Sequence, residues 1–226
     1  MPSEPNLHLF VGVRIAANAA NALSGAAETL ARRARDAGLD PRWVAPPNYH
    51  VTVKYLGWTR ADAVGAIGDA LARAVAGTQR FDMRVARLGA FASLDKATVV
   101  WAGIEDPAPI SALAAKVDAA MTGVGFAAET RPFVPHVTVA RLKVPSAVKD
   151  VLLPLAEQMF GGGPIEHVIL YESQTKPSGS VYKEIRRIAF KTALEGPKPT
   201  FERQIDAVDL GATEDTDDGW PRGHSS

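Results

Sequence analysis

One tetrapeptide, HVTV, occurs twice in the sequence, at residues 50–53 and 136–139. The chain has five histidines, and His50 and His136 begin the two copies. An imidazole has a pKa of about 6.5, so one histidine can be neutral while another is protonated close to neutral pH. Threonine hydroxyls, here Thr52 and Thr138, can donate hydrogen bonds to the non-bridging oxygens of a phosphoryl group. This set of groups suits in-line displacement at phosphorus, with one histidine as base and the other as acid.

Each motif has the apolar alternation of a β-strand. Side chains at i and i+2 share a face of a strand, about 6.6–7 Å apart, so His50, Thr52 and Lys54 are predicted on one face. The valines then form the opposite face and anchor the strand in the core. Two such strands facing each other would present two imidazoles and two hydroxyls on a rigid support.

The elements around the motifs form an interleaved pattern. Apolar periodicity and turn residues predict strands at 7–15, 42–44, 49–57, 81–91, 97–104, 135–144, 165–174 and 180–190. They predict helices at 17–37, 60–76, 108–123 and 146–160, the last ending at the triple glycine 161–163. The order of helix, motif strand, helix and further strands occurs twice. An α+β fold with two sheet-and-helix lobes, each contributing one motif strand, accounts for this order.

The chain changes character at residue 194. The segment 194–226 is acidic and has little apolar periodicity, so we predict a folded domain over 1–193 followed by a disordered tail. A short docking segment at 201–210 is the alternative.

Composition excludes several classes of protein. The formal net charge is +0, so there is no overall basic field, and any hold on a nucleic acid or phosphate must be local. The absence of cysteine excludes disulfides, thiolate nucleophiles and cysteine-ligated zinc. No HExxH motif and no tight His/Asp cluster occur, so we expect neither a metal nor another cofactor. With no signal-peptide pattern and no apolar run of membrane-spanning length, we expect a cytoplasmic protein without a membrane partner, and a monomer by default.

The doubled HxTx motif resembles the signature of the 2H phosphoesterases. More narrowly, the chain resembles the bacterial and archaeal RNA 2′,3′-cyclic phosphodiesterases, also called LigT-like or 2′-5′ RNA ligase-like proteins. The similarity extends beyond the tetrapeptides and covers about residues 7–190. In chain order, the similar segments are LFVGVRI, RWVAPPNYHVTVKYLG, LGAF with VVWAGI, RPFVPHVTVAR, and LYESQ with PSGSVY.

The resemblance implies a bilobal fold of two antiparallel-sheet lobes, with helices packed outside and a central cleft. It implies that His50 and His136 are the catalytic pair and that Thr52 and Thr138 bind the phosphate. Arg141 resembles a basic residue that follows the second motif, although regular alternation places it opposite His136, so a bulge or strand end would be needed.

The implied reaction is metal-independent opening of a 2′,3′-cyclic phosphate at an RNA end to a 2′-phosphomonoester. One histidine protonates O3′ while the other activates water. We assign His50 as acid and His136 as base, although nothing in the sequence separates the two roles.

Two other functions remain open. The same site could act on 2′-5′-linked oligonucleotides or small cyclic nucleotides, including in the direction of ligation. Alternatively, the domain could bind nucleotides or RNA ends without turnover. Two motif histidines favour catalysis, because binding alone does not need an acid–base pair.

Overall fold

Strands and helices interleave along the chain in the computed structural model, which describes residues 6–176 and 179–191. The strands are β1 (Asn6–Arg14), β2 (Arg42–Trp43), β3 (His50–Arg60), β4 (Phe81–Phe91), β5 (Ala97–Ile104), β6 (His136–Ser146), β7 (Met159–Ile165), β8 (His167–Lys176) and β9 (Gly179–Ala189). The α-helices are α1 (Ala17–Asp36), α2 (Val64–Val75), α3 (Ala108–Thr122) and α4 (Lys149–Leu152). The predicted tail from residue 194 lies outside the described residues, so the domain boundary stays a prediction.

The described strands form one nine-stranded sheet with antiparallel ladders. Its order is β7-β4-β5-β6-β3-β1-β8-β9, with β2 added against β6. This order reads as two equivalent halves, in which β6, β5, β4 and β7 correspond to β3, β1, β8 and β9. The predicted α+β class is confirmed, and the two lobes are halves of a single sheet that join where β3 meets β6.

The helices cover one face of this sheet. In α1 the buried residues recur at helical spacing, which produces an apolar stripe: Ala19, Leu23, Ala26, Ala27, Leu30 and Ala34. The helix ends where Gly38 adopts a left-handed φ of 71° and the Leu39 amide donates to the Ala34 carbonyl, the hydrogen-bond pattern of a Schellman cap. Helix α1 packs against β7, and α3 packs against β3 and α2. The opposite face of the sheet is therefore left for the polar side chains of the motifs.

The predicted helix 146–160 is wrong. Helix α4 spans four residues, and a 3₁₀ turn at Leu153–Leu155 replaces its continuation. The triple glycine then runs through β7, which pairs with β4. Glycine is needed there because a Cβ on Gly162 would lie 2.3 Å from the carbonyl oxygen of Met83. Gly162, in the middle of the triplet that suggested a helix terminus, instead allows two backbones to approach closely.

Candidate active site

The two motifs meet at the centre of the sheet. Val51 of β3 pairs with Val137 of β6, and each is the second residue of its tetrapeptide. Equivalent positions thus face each other across a local two-fold relation between the halves. Both valines are fully buried, while the flanking histidines and threonines are only partly buried on the other face. The predicted alternation within each tetrapeptide is confirmed.

Backbone hydrogen bonds orient both imidazoles in the same way. Nδ1–H of His50 donates to the Asn48 carbonyl at 2.7 Å, and Nδ1–H of His136 donates to the Val134 carbonyl at 2.7 Å. A carbonyl oxygen only accepts, so Nδ1 carries a proton and the lone pair of each neutral ring is on Nε2. Nε2 of His50 lies 3.1 Å from the Thr52 hydroxyl. Each ring is therefore held with its basic nitrogen, Nε2, directed away from the anchoring carbonyl, where it can take a proton.

Aromatic rings pack around both histidines. The Phe10 ring centroid lies 4.8 Å from that of His50, and Tyr182 meets His50 edge-on at 5.0 Å. On the other half, Phe91 lies 4.9 Å from His136 and meets it edge-on. This packing limits the orientations of the imidazoles and lowers the dielectric constant around them.

A bulge in each motif strand changes which side chains reach the site. Gly12 pairs with Thr52 and Val11 with Lys54, so Val53 is the extra residue in β3. Thr138 pairs with Trp101 and Ala140 with Val100, so Val139 is the extra residue in β6. The bulges occupy equivalent positions, at the last residue of each tetrapeptide, and reverse the alternation beyond them.

The bulge in β6 brings Arg141 to the face of His136 and Thr138, where it is exposed. Its charge lowers the pKa of both motif histidines, so its guanidinium lies within electrostatic reach of each ring. The bulge that the sequence reasoning required for Arg141 is present.

The bulge in β3 moves Lys54 away from the site. Its predicted place on the face of His50 is wrong, since Lys54 is buried on the core side. Its Nζ lies 2.5 Å from Oδ1 of Asp118 and 2.7 Å from the Ala127 carbonyl oxygen. Lys54 thus ties β3 to α3 and to the segment that leads into the second motif.

Arg42 is a candidate that the sequence reasoning missed. It lies directly across from Arg141 in the β2–β6 ladder, so both guanidinium groups lie on the same face. Neither makes an ion pair within residues 6–176 and 179–191. Like charges directly opposite each other on neighbouring strands destabilise a sheet. An anion bound between them would remove this repulsion.

Burial lowers the pKa of both motif histidines. Desolvation is the main cause for His50, whose pKa falls from 6.5 to about 4, with smaller contributions from the charges of His136, Arg141 and Arg14. Desolvation also lowers the pKa of His136, to a smaller extent, and the hydrogen bond to the Val134 carbonyl opposes the change. In the ligand-free protein at neutral pH, both rings are neutral.

Acidification is expected to destabilise the fold through His50. As the pH falls from 6.5 to about 4, this imidazole takes a proton in the unfolded chain but stays neutral in the folded one. The unfolded state then binds more protons, so the free energy of unfolding falls with pH across this window. The effect amounts to at most about 3 kcal/mol, since one pKa unit is worth about 1.4 kcal/mol. Urea unfolding of wild type and His50→Gln between pH 4 and pH 7 measures it, and equal slopes would contradict it.

The part of the chain that the structure describes contains neither a cluster of metal ligands nor a membrane-spanning helix. Its His, Asp and Glu side chains form no group of three or more that could hold a metal ion. Among the described helices, none combines the length and apolar character needed to cross a bilayer.

Comparison with known proteins places this chain in a family. A family model described as the 2′-5′ RNA ligase superfamily matches residues 21–177, more than half of the chain. The chain belongs to this superfamily. The resemblance to the 2H phosphoesterases is thereby confirmed.

Individual relatives agree with this membership. A protein of Aeropyrum pernix named RNA 2′,3′-cyclic phosphodiesterase is 29% identical over 164 residues, which cover 70% of this chain and 90% of the relative. The fold is similar to that of TT0787 from Thermus thermophilus, with a TM-score of 0.69, 24% identity, and coverage of 81% of this chain and 98% of the other. E. coli LigT, solved with 3′-AMP, has a TM-score of 0.63 at 21% identity and covers 82% of this chain and 98% of its own.

Proposed function

We propose that this protein hydrolyses 2′,3′-cyclic phosphate ends of RNA to 2′-phosphomonoesters by a two-histidine acid–base mechanism. The observation that carries the proposal is the pair of equivalent imidazoles on one sheet face, each fixed through Nδ1 with Nε2 available. The relatives named RNA 2′,3′-cyclic phosphodiesterase, eight of which match at 26–29% identity, support the choice of substrate.

The reaction assigns one proton transfer to each histidine. One imidazole takes a proton from water through Nε2 as the water oxygen attacks phosphorus. The bond between phosphorus and O3′ then breaks, and the other imidazole, protonated at the start, gives its proton to O3′. The products are a 2′-phosphomonoester and a free 3′-hydroxyl. Thr52 and Thr138 donate hydrogen bonds to the non-bridging oxygens, where negative charge develops.

The burial of His50 supports its role as the base. Its pKa is lowered further than that of His136, so it holds a proton less readily in the same cleft. His136 is then the acid, which reverses the assignment made from sequence. The negative charge of a bound phosphate favours the charged form of a nearby imidazole, so substrate binding raises the pKa of His136 toward neutral pH.

Arg141 and Arg42 complete the phosphate site. The two arginines are cross-strand neighbours, and neither has an acidic partner among the described residues. A guanidinium binds phosphate oxygens through paired N–H donors, and its charge balances the phosphate. This pair provides local positive charge for the phosphate, although the net charge of the whole chain is +0.

Ligation is the second candidate, because the superfamily to which the chain belongs is described by it. If an RNA 5′-hydroxyl replaces water as the attacking group, the same two proton transfers produce a 2′-5′ phosphodiester. Adding an RNA with a 5′-hydroxyl end to the hydrolysis assay tests this reaction, and a product longer than either RNA would support it.

The proposed function predicts ring opening in EDTA. Purified wild-type protein incubated with an oligoribonucleotide that ends in a 2′,3′-cyclic phosphate should produce the 2′-phosphate end, at the same rate with and without the chelator. Phosphorus NMR and gel mobility after phosphatase treatment distinguish the 2′-phosphate from the 3′-phosphate. No product from folded protein would sink the proposal, and activity abolished by EDTA would sink its metal-independent form.

A further inference from the structure

The two halves of the sheet differ at one pair of equivalent positions. The second residue beyond the bulged valine is exposed in both motif strands, and it is Arg141 in β6 but Tyr55 in β3. One half thus presents a guanidinium beside the site, while the other presents an aromatic ring that is 59% exposed. The backbone follows the internal two-fold relation at this position, but the side chains do not. One is a cation suited to phosphate, and the other is a flat aromatic ring.

Tyr55 is part of a row of aromatic rings that leads away from His50. Phe10, in contact with His50, pairs with Tyr55 across β1 and β3. The Tyr55 hydroxyl is hydrogen-bonded to Nε2 of His8, and the ring centroids lie 5.3 Å apart. The His8 ring in turn lies 5.0 Å from that of Trp58. Cross-strand pairing and ring contacts therefore connect the candidate catalytic centre to Trp58 along one face of the sheet.

Trp58 ends this row with most of its surface in water. It is 74% exposed, the highest fraction among the large hydrophobic side chains of the described residues. An exposed indole lowers solubility and does not contribute to the core. Exposed rings that cluster together mark a binding surface more often than single exposed rings do. We call His8, Tyr55 and Trp58 the aromatic platform.

We propose that the aromatic platform stacks the bases of single-stranded RNA that precede the cyclic-phosphate end. This inference rests on the proposed function, because an RNA whose last phosphate lies between the two histidines must leave the site along the sheet. Aromatic side chains on an open sheet face bind unpaired bases by stacking, which does not depend on base identity. Stacking also does not need a basic surface, which agrees with the net charge of +0.

The aromatic platform predicts a preference for oligonucleotides over mononucleotides. Loss of one stacking ring costs about 5–150-fold in affinity, which corresponds to about 1–3 kcal/mol per base. Trp58→Ala should raise the Kd and KM for a hexaribonucleotide by this factor, and Tyr55→Ala should do the same. Both variants should hydrolyse a nucleoside 2′,3′-cyclic monophosphate as wild type does, since it does not extend to the platform. Trp58→Phe should retain most of the affinity.

Binding is measured separately from turnover. Fluorescence anisotropy of a 5′-labelled hexaribonucleotide with a 3′-phosphate end reports affinity whether or not the protein hydrolyses cyclic phosphates. Val144→Ala removes an equally exposed apolar side chain, 72% exposed, from the other half of the sheet and serves as the matched control. If wild type binds this RNA and Trp58→Ala weakens binding, the platform stands even where no hydrolysis is found.

Several results would overturn the platform. If wild type hydrolyses cyclic ends while binding of the hexaribonucleotide is unchanged in Trp58→Ala, the platform is excluded and the proposed function is supported. Equal losses on the hexaribonucleotide and the mononucleotide would indicate a structural role for the indole. A sedimentation coefficient that falls in Trp58→Ala, with unchanged RNA affinity, would assign the rings to self-association. Absence of RNA binding by folded wild type would also exclude the platform.

Discussion

Replacing either motif histidine by alanine is expected to lower kcat for ring opening by about 10²–10⁴-fold, because a positioned acid or base contributes a factor of this size. Both His50→Ala and His136→Ala should show the loss, since the reaction needs one proton removed from water and one delivered to O3′. Single-turnover assays with a cyclic-phosphate-ended oligoribonucleotide measure it directly. His167→Ala, in β8, is the matched control and should keep wild-type kcat. Activity within about tenfold of wild type in either motif variant would rule out the mechanism.

The same variants also separate acid from base. In a substrate whose bridging 3′-oxygen is replaced by sulfur, the leaving thiolate does not need a proton. His136→Ala should then recover most of its activity, whereas His50→Ala should stay inactive because water still needs a base. The converse rescue would restore the assignment of His50 as acid. Rescue of neither variant would mean that both histidines act in some other way, such as binding the phosphate.

Much of the site could be predicted from sequence because the information is local. Alternation within a strand placed His50 with Thr52 and His136 with Thr138, and it placed the valines in the core. Both arrangements are present in the fold. The repeat of the tetrapeptide indicated that two equivalent strands meet, and they pair at Val51 and Val137.

The remaining features depend on contacts that a single strand does not encode. A bulge is defined by the register of a partner strand, so those at Val53 and Val139 could not be placed from the motifs alone. Together they move Lys54 into the core and Arg141 onto the site. Arg42 becomes a candidate only through its pairing with Arg141, which lies about a hundred residues further along the chain. The triple glycine does not end a helix, because Gly162 lies in β7 and admits the backbone of β4, a contact that its own sequence does not encode.

Loss of a threonine hydroxyl is expected to have the second largest effect. Thr52→Val and Thr138→Val should each lower kcat by up to about 10²–10³-fold, the usual cost of removing one donor to a developing oxyanion. Valine has nearly the same shape and suits a strand, so the free energy of unfolding should change little. Thr→Ser at either position keeps the hydroxyl and should restore most of the rate. Thr29→Val, on α1, is the matched control. A wild-type rate in both valine variants would contradict phosphate binding by these hydroxyls.

The two hydroxyls should not be equal in effect. In the ligand-free protein the Thr52 hydroxyl lies 3.1 Å from Nε2 of His50 and can donate to it, so it must exchange this partner for the phosphate. The Thr138 hydroxyl has no hydrogen-bond partner within the described part of the chain and is half-buried, so it can turn to the phosphate without giving up a protein contact. Loss of the hydrogen bond to His50 offsets part of what Thr52 gains from the phosphate, and Thr138 has no such protein contact to lose. We therefore expect the larger loss of kcat/KM in Thr138→Val, and the reverse order would show that Thr52 acts mainly through His50.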